Sequence, residues 1–203
     1  MEEPPEEETR PSLAVPLSYR QVWDFDENGL AAVYDGQGWG LIDQEGNEVL
    51  ECAYDYIHEF SNGYAVVELE GFYGLVTILG ELAVQPEWED AFYFSEGLLP
   101  VCRNGKYGFI DLAGNEIIPL QYDDAYPFTE GYAVVISNEG SFFIDNEGQR
   151  VSPVYEEAYS FSDGLAPVMQ NGKWGYVDAS FELVIPCNYD DADFFTQGYA
   201  VVR

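Results

Sequence analysis

Three sets of side chains in this 203-residue sequence could do chemistry. His58 is the sole histidine, so any Ser–His or Cys–His nucleophilic pair would have to use it. It lies in a segment that recurs along the chain, and no other copy has a histidine there; a surface or half-buried role is the simpler reading. Paired acids stand at Glu89-Asp90, Asp123-Asp124, Glu156-Glu157 and Asp190-Asp191. Carboxylate pairs can serve glycoside hydrolysis or hold Ca²⁺. An active site needs one constellation, whereas these pairs are copied, which points to structural turns whose first acid accepts local N–H groups. Weak Ca²⁺ binding by Asp123, Asp124, Asp190 and Asp191 is the alternative, and no other metal or cofactor is expected. Third, Tyr64, Tyr132 and Tyr199 share one phase and would line a single strip, an aromatic surface for a peptide or a sugar.

What must position these groups is a repeat. Glycines that open an apolar strand fall at Gly29, Gly63, Gly97, Gly131, Gly164 and Gly198, a spacing of 34 with a single step of 33. Tyr54, Trp88, Tyr122, Tyr155 and Tyr189 keep the same period, as do Phe60, Phe94, Phe128, Phe161 and Phe195. Such a period signals units that cannot bury their own apolar face and stack on their neighbours. Strand one reads Tyr-Ala-Val-Val from Tyr64, Tyr132 and Tyr199 but Leu-Leu-Pro-Val or Leu-Ala-Pro-Val from Leu98 and Leu165, so neighbouring modules occupy two slightly different environments.

Each module reads as three short antiparallel strands. In the first, these are Leu30 to Tyr34, Trp39 to Asp43 and Glu48 to Leu50, followed by an irregular connection from Tyr54 to Asn62 that carries the Tyr and Phe inward. Asn104-Gly105 and Asn171-Gly172 suit type I′ hairpin turns. Asp43/Gly46, Asp111/Gly114 and Asp145/Gly148 suit turns that end in a left-handed glycine, although Thr77 and Phe181 break the pattern in two modules. Pro100 and Pro167 lie inside strand one, which would make those strands edges. Gly40, Gly74, Gly108 and Gly175 each follow an aromatic residue and leave room for a neighbour's ring on the backbone. The fourth module has Ser141-Phe142 there instead, and Phe142 is expected to fill the space that a neighbouring ring fills elsewhere.

Residues 1–12 are acidic and Pro-rich and read as a disordered tail. Residues 13–203 read as a single repeat domain: a half-unit over 13–28, modules starting at 29, 63, 97, 131 and 164, and a half-unit over 198–203. A formal charge of −31, from 38 acids against 7 bases, repels phosphate backbones and anionic lipid heads, so nucleic-acid binding is not expected. No apolar run is long enough for a membrane helix, and no membrane insertion is expected. Cys52, Cys102 and Cys187 form an odd set without metal-ligand spacing, and read as free, mostly buried thiols.

The run Asn171-Gly-Lys-Trp-Gly-Tyr-Val-Asp178, with Ile185-Pro186, Tyr189-Asp190 and Phe195, resembles the WG (or KWG) β-repeat family of bacterial proteins over about Trp23 to Arg203. Tyr73, Tyr107 and Ser141 depart from it at the Trp position. The resemblance implies an all-β repeat protein, often exported or envelope-associated, without an established enzymatic activity. Choline- and glucan-binding repeats of cell-wall proteins are a more distant likeness.

The expected architecture is all-β: tandem hairpin repeats of about 34 residues in an open or superhelical solenoid-like array. The alternative is a closed propeller-like ring, disfavoured because three strands fall short of the four in common blades. The expected function is non-catalytic binding or scaffolding of a protein or peptide partner, by a monomer or weakly self-associating chain. Glycan or cell-wall binding through aromatic strips is the alternative, and a hydrolase built on the acid pairs ranks third. The expected compartment is extracellular or the cell envelope, with a leader removed; the alternative is the cytoplasm.

Overall fold

The computed structural model describes residues 18–203, so the acidic tail expected over 1–12 and the first part of the half-unit over 13–28 lie outside the described residues. Contacts divide the chain into two units, one up to Tyr54 and one from Asp55 to Arg203, where a single domain from residue 13 was expected. The described residues contain strands and turns and no helix. All sheets are antiparallel, and none closes on itself.

The first unit holds one sheet, β1 (Gln21–Val22), β2 (Ala31–Tyr34), β3 (Trp39–Ile42) and β4 (Glu48–Tyr54), in that spatial order. Ala31, Val33 and Ile42 form its small core, with Tyr19 and Cys52 against them.

The second unit repeats the plan. β5 (Tyr56–Ile57), β6 (Tyr64–Leu69), β7 (Phe72–Thr77) and β8 (Leu82–Trp88) make one sheet; β9 (Asp90–Ala91), β10 (Leu99–Arg103), β11 (Lys106–Ile110) and β12 (Glu116–Tyr122) make the next. A three-stranded sheet follows, β13 (Asp124–Ala125), β14 (Ala133–Ser137) and β15 (Gly140–Ile144). The last is β16 (Glu157–Ala158), β17 (Leu165–Gln170), β18 (Lys173–Asp178) and β19 (Leu183–Tyr189).

Most modules are therefore four-stranded, not three-stranded. The connection expected to be irregular contributes a two-residue strand that pairs with strand one of the following hairpin, as in Tyr56↔Glu68 and Ile57↔Val67. Four is also the strand number of common propeller blades. The connector strand also corrects the placement of Pro100 and Pro167, which lie on central strands. Proline is tolerated there because the connector only donates at this place, Phe92 N–H to Pro100 O at 3.2 Å and Tyr159 N–H to Pro167 O at 3.0 Å, so the missing N–H of proline leaves no connector bond unmade. Val66 and Val134, at the same place, likewise offer their carbonyls to His58 and Tyr126.

The hairpins close as their chemistry demands. Asn104 and Gly105 both take positive φ, 54° and 67°, as do Asn171 and Gly172 at 55° and 70°. Asp43 and Asp111 each accept two backbone N–H groups and an Asn side chain, which holds both carboxyls below the usual range. Thr77 does the same work with its hydroxyl, accepting from Leu79 and Glu81 N–H. Phe181 stands in for glycine at φ 60°, and its ring packs 5.1 Å from Tyr132 and 5.4 Å from Phe143.

The cores of the second unit lie between successive sheets. Leu75, Val84 and Trp88 of one sheet pack with Phe94, Val101 and Ile110 of the next; Phe109, Ile118 and Tyr122 then meet Phe128, Ala133 and Val135. Burial comes from the neighbouring copy, as the period implied.

The aromatic-Gly glycines have a role different from the one expected. The atoms nearest to where their side chains would be belong to strand three, not to a ring. A Cβ on Gly108 would sit 2.5 Å from Ile118 O and 2.8 Å from Leu120 N, and Gly40 and Gly74 are crowded by backbone in the same way. Here one residue of strand two, Gly108, faces three of strand three, Pro119, Leu120 and Gln121, between the pairs Tyr107↔Tyr122 and Phe109↔Ile118, so strand three arches tightly over the glycine. Where Phe142 replaces glycine, the arch is gone. Only Ser141↔Tyr155 and Ile144↔Arg150 remain as isolated bridges, and the segment between them is one residue shorter, which accounts for the single 33-residue step. Ser152 Oγ replaces a lost ladder partner by accepting from Phe143 N–H at 2.9 Å. Phe142 itself is buried, edge-on to Tyr122 with ring centroids 6.1 Å apart.

Candidate aromatic binding groove

The paired acids are occupied by the fold. The first acid of a pair reaches a hairpin turn or a lysine, at longer range than the local bonds expected. Glu89 accepts from Gly105 N–H, and Glu156 from Asn171 and Gly172 N–H; Asp123 takes Lys106 and Asp190 takes Lys173. The second acid accepts the N–H of the following alanine, Asp124 from Ala125 and Asp191 from Ala192. Asp90 also accepts from the Tyr107 hydroxyl at 2.5 Å; burial first, and then this bond, raises that phenol's pKa. Among the described residues no group of three or more His, Cys, Asp or Glu is placed to hold a metal ion.

A further acid, the residue before the strand-opening glycine, links copies. Glu96 accepts from Gly131 N–H at 3.0 Å, Glu130 from Gly164 N–H at 3.0 Å and Asp163 from Gly198 N–H at 2.9 Å. Each of these acids holds positive φ, 50° to 53°, so the bond stabilises a residue in a left-handed conformation. Asn62 stands at this position in the preceding copy and donates instead, to Phe94 O at 3.3 Å. The three thiols are free; Cys52 and Cys187 donate to Val33 O and Val168 O, and burial pushes all three up in pKa.

Tyr64, Tyr132 and Tyr199 do share a phase, but not an environment. Tyr64 packs on Phe94 and Tyr132 on Phe161, each the Phe marker of the next copy, with centroids 4.9 and 5.4 Å apart. Both are half-buried, while Tyr199 is 81% exposed. Tyr64 is also part of a groove.

This groove, of about 640 Å³, lies between two successive connectors of the second unit. One wall is Tyr56, His58, Glu59, Phe60 and Ser61; the other is Phe92 and Tyr93, with Tyr64, Val66 and Ala91 as the floor. Two-residue strands β5 and β9 hold the walls in place by pairing with β6 and β10. Tyr56 and Tyr93 are exposed, and His58 lies edge-on to Tyr56 at 4.9 Å. Phe92, Tyr126 and Tyr159 occupy the His58 position in later copies. There they form ring pairs: Phe92 with Tyr107 and with Tyr126, and Tyr159 stacked on Trp174 at 4.9 Å. The groove therefore opens where His58 stands in place of the ring that Phe92, Tyr126 and Tyr159 supply in the three copies that follow.

That signal was present in the sequence. Three later copies carry an aromatic ring where His58 stands, Phe92, Tyr126 and Tyr159, while the last carries Asp193. Glu59 and Tyr93 needed the structure, because whether a connector residue faces its neighbour follows from the pairing of β5 and β9.

The WG containing repeat profile matches residues 39–71, 73–107, 107–139, 142–174 and 174–203. No curated protein shows significant sequence similarity to the chain. Among solved structures, a eukaryotic initiation factor is similar at a TM-score of 0.55 with 13% identity, over 90% of this chain and 56% of that one. Kluyveromyces lactis Hsv2p is similar at 0.51 with 11% identity, over 89% and 70%. KlHsv2 with a loop replaced by a Gly-Ser linker is similar at 0.50 with 9% identity, over 77% and 61%. The chain thus spans about three fifths of the length of the first and third of these, and the likeness is one of fold.

Proposed function

Because the chain belongs to the WG containing repeat family, we propose that it is a non-catalytic binding repeat protein that holds a polypeptide partner in the groove between Tyr56 and Tyr93. The observation that carries this reading is the groove itself: exposed rings line a cleft where His58 replaces the aromatic side chain of the three copies that follow. A side chain needed only for stacking copies would follow the ring pattern of Phe92, Tyr126 and Tyr159; His58 does not. Rigid short strands hold the walls, which favours binding without reorganisation.

The acid pairs support a binding role over a hydrolytic one, since their oxygens already accept hydrogen bonds from turns and lysines. Among the described residues no hydrogen bond joins His58 to Ser61 or Glu59, the link a nucleophilic pair would use. Glycan binding is the second reading, favoured by the exposed faces of Tyr56 and Tyr93. Export to the cell surface or envelope is part of the proposal and follows from the family resemblance; protease accessibility on intact cells tests it.

A photoreactive side chain introduced at position 93 should crosslink a polypeptide, while one at position 117, exposed on β12, should not. Equal crosslinking at both positions, or binding confined to a glycan array and abolished by Tyr93→Ala, overturns the polypeptide reading.

A further inference from the structure

Resting on that reading, we infer that the groove selects a cationic segment, an arginine-bearing stretch of the partner whose guanidinium lies between Tyr56 and Tyr93 and pairs with Glu59. A guanidinium is planar and weakly hydrated, stacks on tyrosine faces, and forms charge-assisted bonds with a carboxylate. The groove offers both kinds of contact. Tyr56 and Tyr93 expose ring surface on opposite walls, and Glu59 stands on the Tyr56 wall beside His58. Glu68 lies directly across the β5–β6 pair from Tyr56 and adds negative charge next to that ring.

Glu59 is what gives the site its sign. The same connector position holds Tyr93, Pro127, Ser160 and Phe194 in later copies, so the repeat does not require an acid there. Unlike Glu89, Glu130 or Glu156, Glu59 accepts no hydrogen bond from a turn amide among the described residues. Glu59 is exposed and lines the groove. No lysine or arginine lines the groove, and the chain as a whole carries 38 acids against 7 bases. A basic segment is therefore drawn in by the long-range field and held by local contacts, whereas an acidic one is repelled at both ranges.

The test is calorimetric titration of the full chain with a nine-residue peptide bearing three arginines, and with its twin carrying uncharged citrulline in their place. The arginine peptide should bind at least tenfold more tightly than the twin. Glu59→Gln and Tyr93→Ala should each weaken it about tenfold, while Glu116→Gln, which removes the same charge from the exposed face of β12, should change it less than twofold. An equal loss from Glu116→Gln and Glu59→Gln overturns the inference in favour of diffuse attraction to an acidic surface. Absence of binding by the arginine peptide overturns it as well. Equal binding of the two peptides, both weakened by Tyr93→Ala, overturns the cation selectivity but leaves the groove as a polypeptide site. Crosslinking at position 93 reports on the groove independently of charge, so the two failures are distinguishable.

Discussion

Adding one methyl group to Gly108 should detach a strand. The backbone of Gly108 needs no left-handed conformation, so the cost of Gly108→Ala is one of space. A Cβ there would lie 2.5 Å from Ile118 O, and ordinary contact begins at about 3.4 Å, so β12 must move away by about 0.9 Å. The atoms in the way are backbone and cannot rotate aside. Overpacking of this kind costs about 1–3 kcal/mol when the surroundings give a little. If the arch lets go altogether, Ile118 and Tyr122, now buried, lose their cover at about 1.5–3 kcal/mol each. The expected loss lies between these limits, about 3 kcal/mol, or a fall in melting temperature of about 6–12 °C for a unit of this size. Urea unfolding followed by circular dichroism gives the free energy, and amide exchange along Glu116–Tyr122 shows whether β12 is where protection is lost. Gly105→Ala is the control: it has φ of 67° and no atom within 4 Å of a new Cβ, so it should cost only the left-handed strain, about 1–2 kcal/mol. The steric reasoning is refuted if Gly108→Ala costs no more than Gly105→Ala, or if β12 keeps its protection.

Phe142→Gly should not restore a regular third strand in the fourth module, because the residue needed for the arch is missing; it should instead cost about 3–5 kcal/mol through loss of a buried ring, measured by urea unfolding. Glu130→Ala should cost about 1 kcal/mol by removing the acceptor for Gly164 N–H while keeping the strained φ, whereas Glu130→Gly should be milder because it relieves that strain; comparable losses would contradict the account. Asp111 has its carboxyl held below the usual range by Asn115 and by backbone N–H groups. A depressed folded pKa means that its contribution is complete above about pH 4 and is lost as pH falls through the folded value. The stability gap between the parent and Asp111→Asn should therefore be constant near neutrality and close below pH 4. Burial raises the phenol pKa of Tyr122, Tyr155 and Tyr176, so the stabilising preference for their neutral form is complete below about pH 10 and is lost at higher pH. Absorbance titration near 295 nm should show them ionising late, together with unfolding; normal, independent titration would count against their burial.

How far the sequence could be read depended on whether a feature repeated. The Tyr and Phe markers, and with them burial between copies, were legible because each marker occurs five times in register; the turn residues recur only two or three times, but their chemistry is local, and the Asn-Gly turns have the φ signs that it requires. The connector strand was missed because two residues are too few to show alternation, and its partner lies in the following hairpin. The glycine after the aromatic was correctly read as a place of close approach, but whether a ring or a backbone approaches depends on the arch of strand three. The forward bonds of Glu96, Glu130 and Asp163 span 34 or 35 residues and leave no trace beyond an acid before a glycine. At the groove, a break in the rule was the informative signal, and it is visible only once the rule has been written down copy by copy.

Those forward bonds bear on how such a chain can change over generations. Each acid reaches for the same amide of the copy that follows, so a recombination event that drops or duplicates a whole copy leaves every surviving acid facing an equivalent donor. Copy number is then free to drift without orphaning a polar group, while a single copy such as the one carrying His58 and Glu59 can specialise inside an otherwise interchangeable series.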